Sequence, residues 1–350
     1  MKYGKIRIED GYLIFTKHMM INSLPCKDIL WAYKRRESRE EVEGKRLVSN
    51  YLVIHTKRHK RYQFDMTERE VHDCIQILRA LNPDMAVGFS QGERLALQSL
   101  YNTRDLGGIM TSDGRYFLPR RLLRSGDLYH VSQADQEALL RQYHVSTVVD
   151  FRSEEERMER PDTYMEGIRY ISLPVLEEGM LGISEAGGLG TMLFQFRGNI
   201  EEYMEQQYAS LVSDQLCLNQ FARFFDILLH QEEGAVLYHC TEGKDITGVA
   251  TALLLYVLGV PKRAIREEFM RTNEFLAEET QHILEFLATR MDVDEKTEER
   301  LCAFLSVKES YIDTVFRTIQ KEYGTFQHFL RRVLYLTPKA IDELQEKYLI

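Results

Sequence analysis

Residues 236–248 read Val-Leu-Tyr-His-Cys-Thr-Glu-Gly-Lys-Asp-Ile-Thr-Gly, and this stretch constrains the chain more than any other. An apolar strand core runs into His239 and Cys240. A short loop containing Gly243 follows, and a long apolar helix begins near Thr247. So apolar a strand belongs in the middle of a sheet covered on both faces. The loop then gathers successive backbone N–H groups around a concavity, with the helix N-terminus pointing in. Such a concavity is an anion cradle. It also favours a thiolate at Cys240, because the positive helix end lowers a cysteine pKa. The segment is not a nucleotide-binding loop of the GxxxxGK[ST] type, since Gly243-Lys244 is followed by Asp245 and the earlier glycine is missing.

The surrounding pattern supplies that sheet. From about residue 95, short apolar runs such as Ser146-Thr-Val-Val-Asp-Phe alternate with helical stretches at 133–143, 200–211 and 216–230. After Gly243 the periodicity predicts helices at 247–258, 261–275, 279–291, 311–323, 325–333 and 338–347. The sum is an α/β domain with a helical C-terminal layer.

Before it, residues 1–88 read as a separate β-rich domain. Strands are expected at 5–9, 12–16, 19–22, 29–33 and 47–55, with a hairpin turn at Asp10-Gly11 and a charged loop at 37–46. A second hairpin turns at Lys57-Arg58-His59-Lys60. A helix starts at Thr67, with Glu70 completing a capping box, and Asn82-Pro83 stops it. Several antiparallel strands closed by one helix resemble a pleckstrin-homology-like domain. The basic turn formed by Lys57, Arg58, Lys60 and Arg61 stands where such a domain docks an anionic membrane or a protein partner. Residues 84–92 read as a linker and 89–350 as the second domain. The glycine-rich stretch 177–190 is a candidate lid or surface crossover.

Composition narrows the class. Lys and Arg number 45 against 54 Asp and Glu, a net charge of −9, which argues against a nucleic-acid partner. The apolar run 249–260 is too short to span a bilayer, which takes about 20 residues. The N-terminus shows no secretion signal. Five separated cysteines without a CxxC pair indicate neither a zinc site nor a disulfide framework, so a reducing, cytoplasmic compartment is expected, with no metal and no cofactor.

His239-Cys240-Thr241-Glu242-Gly243-Lys244-Asp245-Ile246-Thr247-Gly248 resembles the HC-x5-R phosphate loop of cysteine-dependent tyrosine phosphatases. The Gly-Lys-Asp variant followed by Thr-Gly is similar to a bacterial branch, the tyrosine-phosphatase-like family. Further stretches resemble that branch: Asn102-Thr-Arg-Asp-Leu-Gly-Gly108, Asp113-Gly114-Arg115, Leu123-Arg124-Ser125-Gly126, Val149-Asp150-Phe151-Arg152-Ser153 and Tyr323-Gly324. The resemblance covers residues 95–350. It implies hydrolysis of phosphotyrosine and, in some members, of phosphoserine, phosphothreonine or phosphoinositides.

It further implies that Cys240 is the nucleophile, forming a cysteinyl-phosphate, and that Asp245 serves as general acid and then base. Asp150 is a second acid candidate. Residues 241–244, together with Ile246 and Thr247, line the phosphate site. Asp245 also fits an N-cap for the following helix, and Thr247 can cap it or stabilise the departing thiolate. His239, Asn102 and Asp105 are supporting residues. Arg104, Arg124 and Arg152 brace the loop through buried hydrogen bonds.

One position departs from the resemblance. The phosphate-binding arginine belongs six residues after the cysteine, and Ile246 stands there. An arginine donates two parallel hydrogen bonds to phosphate and follows it into the transition state. By analogy with arginine fingers, its loss costs about 10³- to 10⁵-fold in rate. Lys244 supplies charge but not the planar fork. The expectation is therefore a phosphomonoesterase strongly impaired by Ile246, or else a catalytically silent scaffold that binds phosphate or phosphoinositide. Entry of Arg104 or Arg152 into the vacated position is a third arrangement.

Overall fold

The computed structural model describes residues 2–17, 19–40, 46–58, 60–176, 198–290 and 294–350. The chain divides into two compact units, Met1–Phe89 and Ser90–Leu349.

The first unit is built from antiparallel strands: β1 (Lys2–Tyr3), β2 (Ile6–Glu9), β3 (Tyr12–Lys17), β4 (Met20–Pro25), β5 (Ile29–Glu40), β6 (Arg46–Thr56) and β7 (Arg61–Met66), then helix α1 (Glu68–Leu81) and the short β8 (Ala86–Val87). They form two sheets, ordered β1-β2-β3-β4 and β7-β6-β5-β8. Alternation sets the faces. In β2, Ile6 and Ile8 are buried while Arg7 and Glu9 are exposed. Both sheets contribute to one core, where Leu13, Phe15, Leu52 and Phe64 meet Val71, Cys74 and Leu78 of α1. The helix carries its capping box, Thr67 and Glu70 each bonding the other's backbone. Its end is tied down by Asn82, whose amide donates to the carbonyls of Cys26 and Ile29. The expected charged loop at 37–46 is shorter than the sequence suggested. Strand β5 continues to Glu40, paired with β6 as far as Glu40↔Arg46, because a ladder is made by backbone groups and does not require apolar side chains.

The second unit holds a five-stranded sheet of β9 (Arg104–Asp105), β10 (Leu122–Ser125), β11 (Val145–Asp150), β12 (Arg169–Ser172) and β13 (Ala235–His239), in the order β12-β11-β13-β10-β9. All neighbours are parallel except β9 and β10. Strand β13 is central and buried throughout, as its unbroken apolar sequence demands. Around the sheet lie α2 (Gln133–Glu137), α3 (Glu154–Glu159), α4 (Ile200–Ser210), α5 (Gln215–His230), α6 (Asp245–Val257), α7 (Lys262–Phe275), α8 (Ala277–Arg290), α9 (Glu295–Leu305), α10 (Glu309–Tyr323), α11 (Phe326–Arg332) and α12 (Pro338–Tyr348). The helix expected at 133–143 changes character after Glu137, continuing as a π-helical turn, Ala138–Gln142. Helix α9 was not anticipated. Its first half is charged, and its buried residues Leu301, Phe304 and Leu305 crowd the last turn, so no stripe is visible. The glycine-rich stretch 177–190 lies outside the described residues. No described helix is long and apolar enough to cross a membrane.

Candidate active site

Cys240 follows β13 at the carboxyl edge of the parallel strands, where open α/β sheets hold their ligands. The loop 240–244 then runs into α6. That helix starts at Asp245, two residues before the expected point. Lys244, not Asp245, is therefore at the N-cap position, and its side chain makes no cap hydrogen bond. Asp245 and Ile246 occupy the first turn.

Two glycines make this geometry possible. Gly243 has φ +70°, and a Cβ there would lie 2.3 Å from the Ser125 carbonyl oxygen. A Cβ at Gly248 would lie 2.8 Å from the Phe269 ring, so α6 and α7 touch only across a bare backbone.

Beneath the loop is a charged layer without solvent access. Arg124 donates to the Gly243 carbonyl at 2.7 Å and to both oxygens of Glu268. Arg104 donates to Glu268, to Thr272 and to the side-chain oxygen of Asn102. The Asn102 amide in turn donates to the carbonyls of Glu242 and Gly243, at 3.0 and 3.2 Å. Burial alone would raise the Glu268 pKa, but the two guanidiniums hold it below the usual carboxylate range. Asp105 supports the neighbouring turn, accepting from the backbone N–H groups of Gly107 and Arg120.

A second layer flanks the cysteine. Arg152 pairs with Asp150 and Asp162, each at 2.8 Å. Asp162 accepts from His239 Nε2 at 3.0 Å, and His239 Nδ1 lies 3.1 Å from the Cys240 carbonyl. Burial works against the imidazolium, but Asp150 and Asp162 overcome it and raise the His239 pKa to about 9. At neutral pH His239 is thus charged and donates from both nitrogens. Asp150, Asp162 and His239 bring ligand atoms within 4.8 Å of one another, yet the Arg152 guanidinium and the charged His239 together already balance the two carboxylates. Asp150, the second acid candidate, is paired with Arg152 in this network.

The anion-facing side is different. Cys240 is buried, and Ile246 belongs to the same hydrophobic cluster. Burial pushes the Cys240 thiol up, against the pull of the Thr247 hydroxyl and of the Thr247 and Gly243 backbone N–H groups. The expected lowering by the helix end is thus outweighed. The Thr247 hydroxyl is buried without a well-aligned hydrogen-bond partner; its effect on the thiol identifies the sulfur as its neighbour. Lys244 is consumed locally, with Nζ 2.6 Å from Asp245 and 3.4 Å from Glu242. Despite its burial, these carboxylates lift its pKa above the ordinary lysine value. Asp245 also accepts from the Tyr208 hydroxyl at 2.6 Å. Burial raises the Glu242 pKa to about 7, against the pull of Lys244. Thr241 donates to Glu156 at 2.5 Å.

Neither Arg104 nor Arg152 occupies the position of the missing arginine, because each is locked in the buried networks just described. Sequence reasoning missed Glu268, Tyr208 and Asp162. Glu268 left a signal: it lies on the α7 stripe of Ile265, Phe269, Thr272 and Phe275, where an acid is out of place. A cavity of about 890 Å³ borders the loop at Asn102, Gly126, Thr241 and Glu242 and extends along α8 to Phe286. Asp127, Glu156, Glu159, Glu278 and Glu279 also line it, with Arg160 and His282 as its basic groups.

Comparison with known proteins agrees with this geometry. A protein of Cupriavidus necator named as a candidate tyrosine-protein phosphatase is 29% identical over 264 residues, 75% of this chain and 92% of its own length. A tyrosine-protein phosphatase of Nostoc commune is 30% identical over 44% of this chain and 49% of its own. The triple specificity protein phosphatase PtpB of Mycobacterium tuberculosis is 25% identical over 67% of this chain and 92% of its own. Residues 1–96 match a domain of unknown function. Residues 95–350 match the tyrosine phosphatase family, and the chain belongs to that family.

Proposed function

We propose that the second unit is a phosphomonoesterase of the protein tyrosine phosphatase type, held at low turnover by Ile246. The Cys240 thiol passes its proton to the Asp245 carboxylate, and the thiolate attacks the phosphorus of a bound aryl phosphate. Asp245 gives its proton to the leaving oxygen, and the phosphate is carried as a thiophosphate ester on Cys240. Asp245 then takes a proton from water, which attacks that ester and releases inorganic phosphate. The buried Thr247 hydroxyl stabilises the sulfur as it leaves.

One observation carries the impairment. The position six residues after Cys240 is an apolar side chain packed in the core, while among the described residues Arg104, Arg124, Arg152 and Lys244 are already paired. A bound phosphate dianion therefore meets backbone N–H groups but, among the described residues, no free guanidinium. Lys244 reaches it only by giving up Asp245 or Glu242, and freeing Asp245 is what the acid step requires. The acidic lining of the adjoining cavity favours a phosphotyrosine segment of a protein over a polyphosphorylated inositol, whose charge the carboxylates repel.

Turnover of an aryl phosphate by the native chain should lie near background, and Ile246→Arg should raise it by about 10³-fold or more. An arginine variant that binds phosphate yet gains no turnover would support the alternative, a phosphate-binding scaffold. For the first unit we propose a pleckstrin-homology-like docking role centred on the basic turn.

A further inference from the structure

The β3–β4 hairpin of the first unit ends in an apolar tip that the proposed catalytic role does not use. Lys17 pairs with Met20 across a two-residue turn. Met19 in that turn is fully exposed, at 100%, and Met20 and Ile21 are exposed at 66% and 81%. Met19 also has φ +60°, a conformation that turns normally assign to glycine or asparagine. Three consecutive large apolar residues in water, one of them in a backbone region it disfavours, are not explained by the packing of this fold.

The tip has basic company. Ile6, Phe15 and Asn22 form one cross-strand row of the first sheet. That row lies along β7. Gly4, in the turn before β2, lies against the Asp65 carbonyl, while the Phe15 ring packs edge-on against Tyr62 and Phe64, both at 5.2 Å. Successive strands thus step along β7 from residue 65 back toward residue 61. Continued by one strand, the same stepping brings β4 toward the Arg61 end; the β6–β7 turn at that end presents exposed Lys57, Arg58, Lys60 and Arg61. Lys17 at the base of the tip is exposed as well. Among the described residues none of these five cations pairs with a carboxylate, in a chain of net charge −9.

We infer that the first unit docks on an anionic lipid bilayer, with Met19, Met20 and Ile21 inserted among the acyl chains. Lys17 and the cations at residues 57, 58, 60 and 61 engage the head groups. An apolar tip on a unit that also exposes unpaired cations is the combination such an interface rewards, since burial and surface potential act together and neither suffices alone. This role rests on the docking reading proposed for the basic turn and is independent of turnover at Cys240.

The test is co-sedimentation of the full chain with vesicles of phosphatidylcholine alone or mixed with phosphatidylglycerol. Binding is expected to the mixture only, and added salt should weaken it. The triple variant Met19→Ser, Met20→Ser, Ile21→Ser should lose about tenfold or more in apparent affinity, and Lys57→Gln with Lys60→Gln about tenfold. Both alter exposed positions, so an unchanged melting temperature should accompany the loss. Insertion has its own readout. The single tryptophan, Trp31, is buried, so a Met20→Trp variant should add an emission that shifts to the blue only on the anionic vesicles. Absence of binding by the native chain, binding unaffected by the serine triple, or no blue shift would each overturn the inference. So would a dimer that the serine triple converts to monomer, which would assign the tip to a protein contact.

Discussion

The layer beneath the phosphate loop and the face that receives the phosphate have opposite characters. Below, Arg104, Arg124, Asn102 and Glu268 form a buried network tied to the Glu242 and Gly243 carbonyls. Above, one position changes the balance. Ile246 contributes neither a donor nor a charge, and Lys244 is held by its neighbours Asp245 and Glu242. The contrast teaches that loop shape and loop chemistry are separable. Glycines and buried ion pairs set the shape. On the function proposed above, the chemistry depends on one cation that the shape does not need.

Several experiments can break or sharpen that contrast. The largest effect is expected at the nucleophile. In the Ile246→Arg background, Cys240→Ser should remove the whole gain in aryl phosphate turnover, about 10³-fold, with melting unchanged. Residual turnover at that level would remove Cys240 from the mechanism. Next comes the brace. Glu268→Gln leaves two buried guanidiniums without their counter-charge and should cost about 3–5 kcal/mol of stability in denaturant unfolding, whereas Ile246→Arg should cost far less. Equal costs would mean that the two regions are not separable.

The His239 layer predicts a pH dependence. With its folded pKa raised to about 9, His239 stabilises the fold fully below its ordinary pKa of about 6.5 and loses that contribution as pH rises through 9. The loss is on the order of 3 kcal/mol, and His239→Asn should flatten the profile between those limits. A native profile that rises over this window would contradict the assignment. The smallest effect is predicted for Lys244→Gln: a loss of about tenfold in inorganic phosphate affinity, since an already paired lysine contributes little. A loss of a thousandfold would make Lys244 the working phosphate ligand and Ile246 a secondary matter.

The legible parts of the molecule were those written in local order. The strand–loop–helix unit, the capping box at Thr67 and Glu70, and the all-apolar α6 depend on neighbours in sequence, so pattern alone placed them. The bracing role of Arg104 and Arg124 was also readable, because both lie in motifs of the resembling family. What escaped depends on distant partners. Asp150 is two residues from Arg152 in the motif, but the network that joins them to Asp162 and His239 requires two strand ends and the loop after α3 to meet. Tyr208 joins Asp245 from a helix whose buried stripe gives no hint of a polar role. The thiol pKa was misjudged because the helix end is visible in sequence, while burial of Cys240 and the carboxylates near it is not.

The central claim is that one missing cation limits an otherwise assembled phosphatase loop. The most direct measurement is kcat/KM for one aryl phosphate, native chain against Ile246→Arg, under identical conditions. The account predicts a ratio of about 10³ or more in favour of the arginine variant. A ratio near one, with the variant folded, would contradict it.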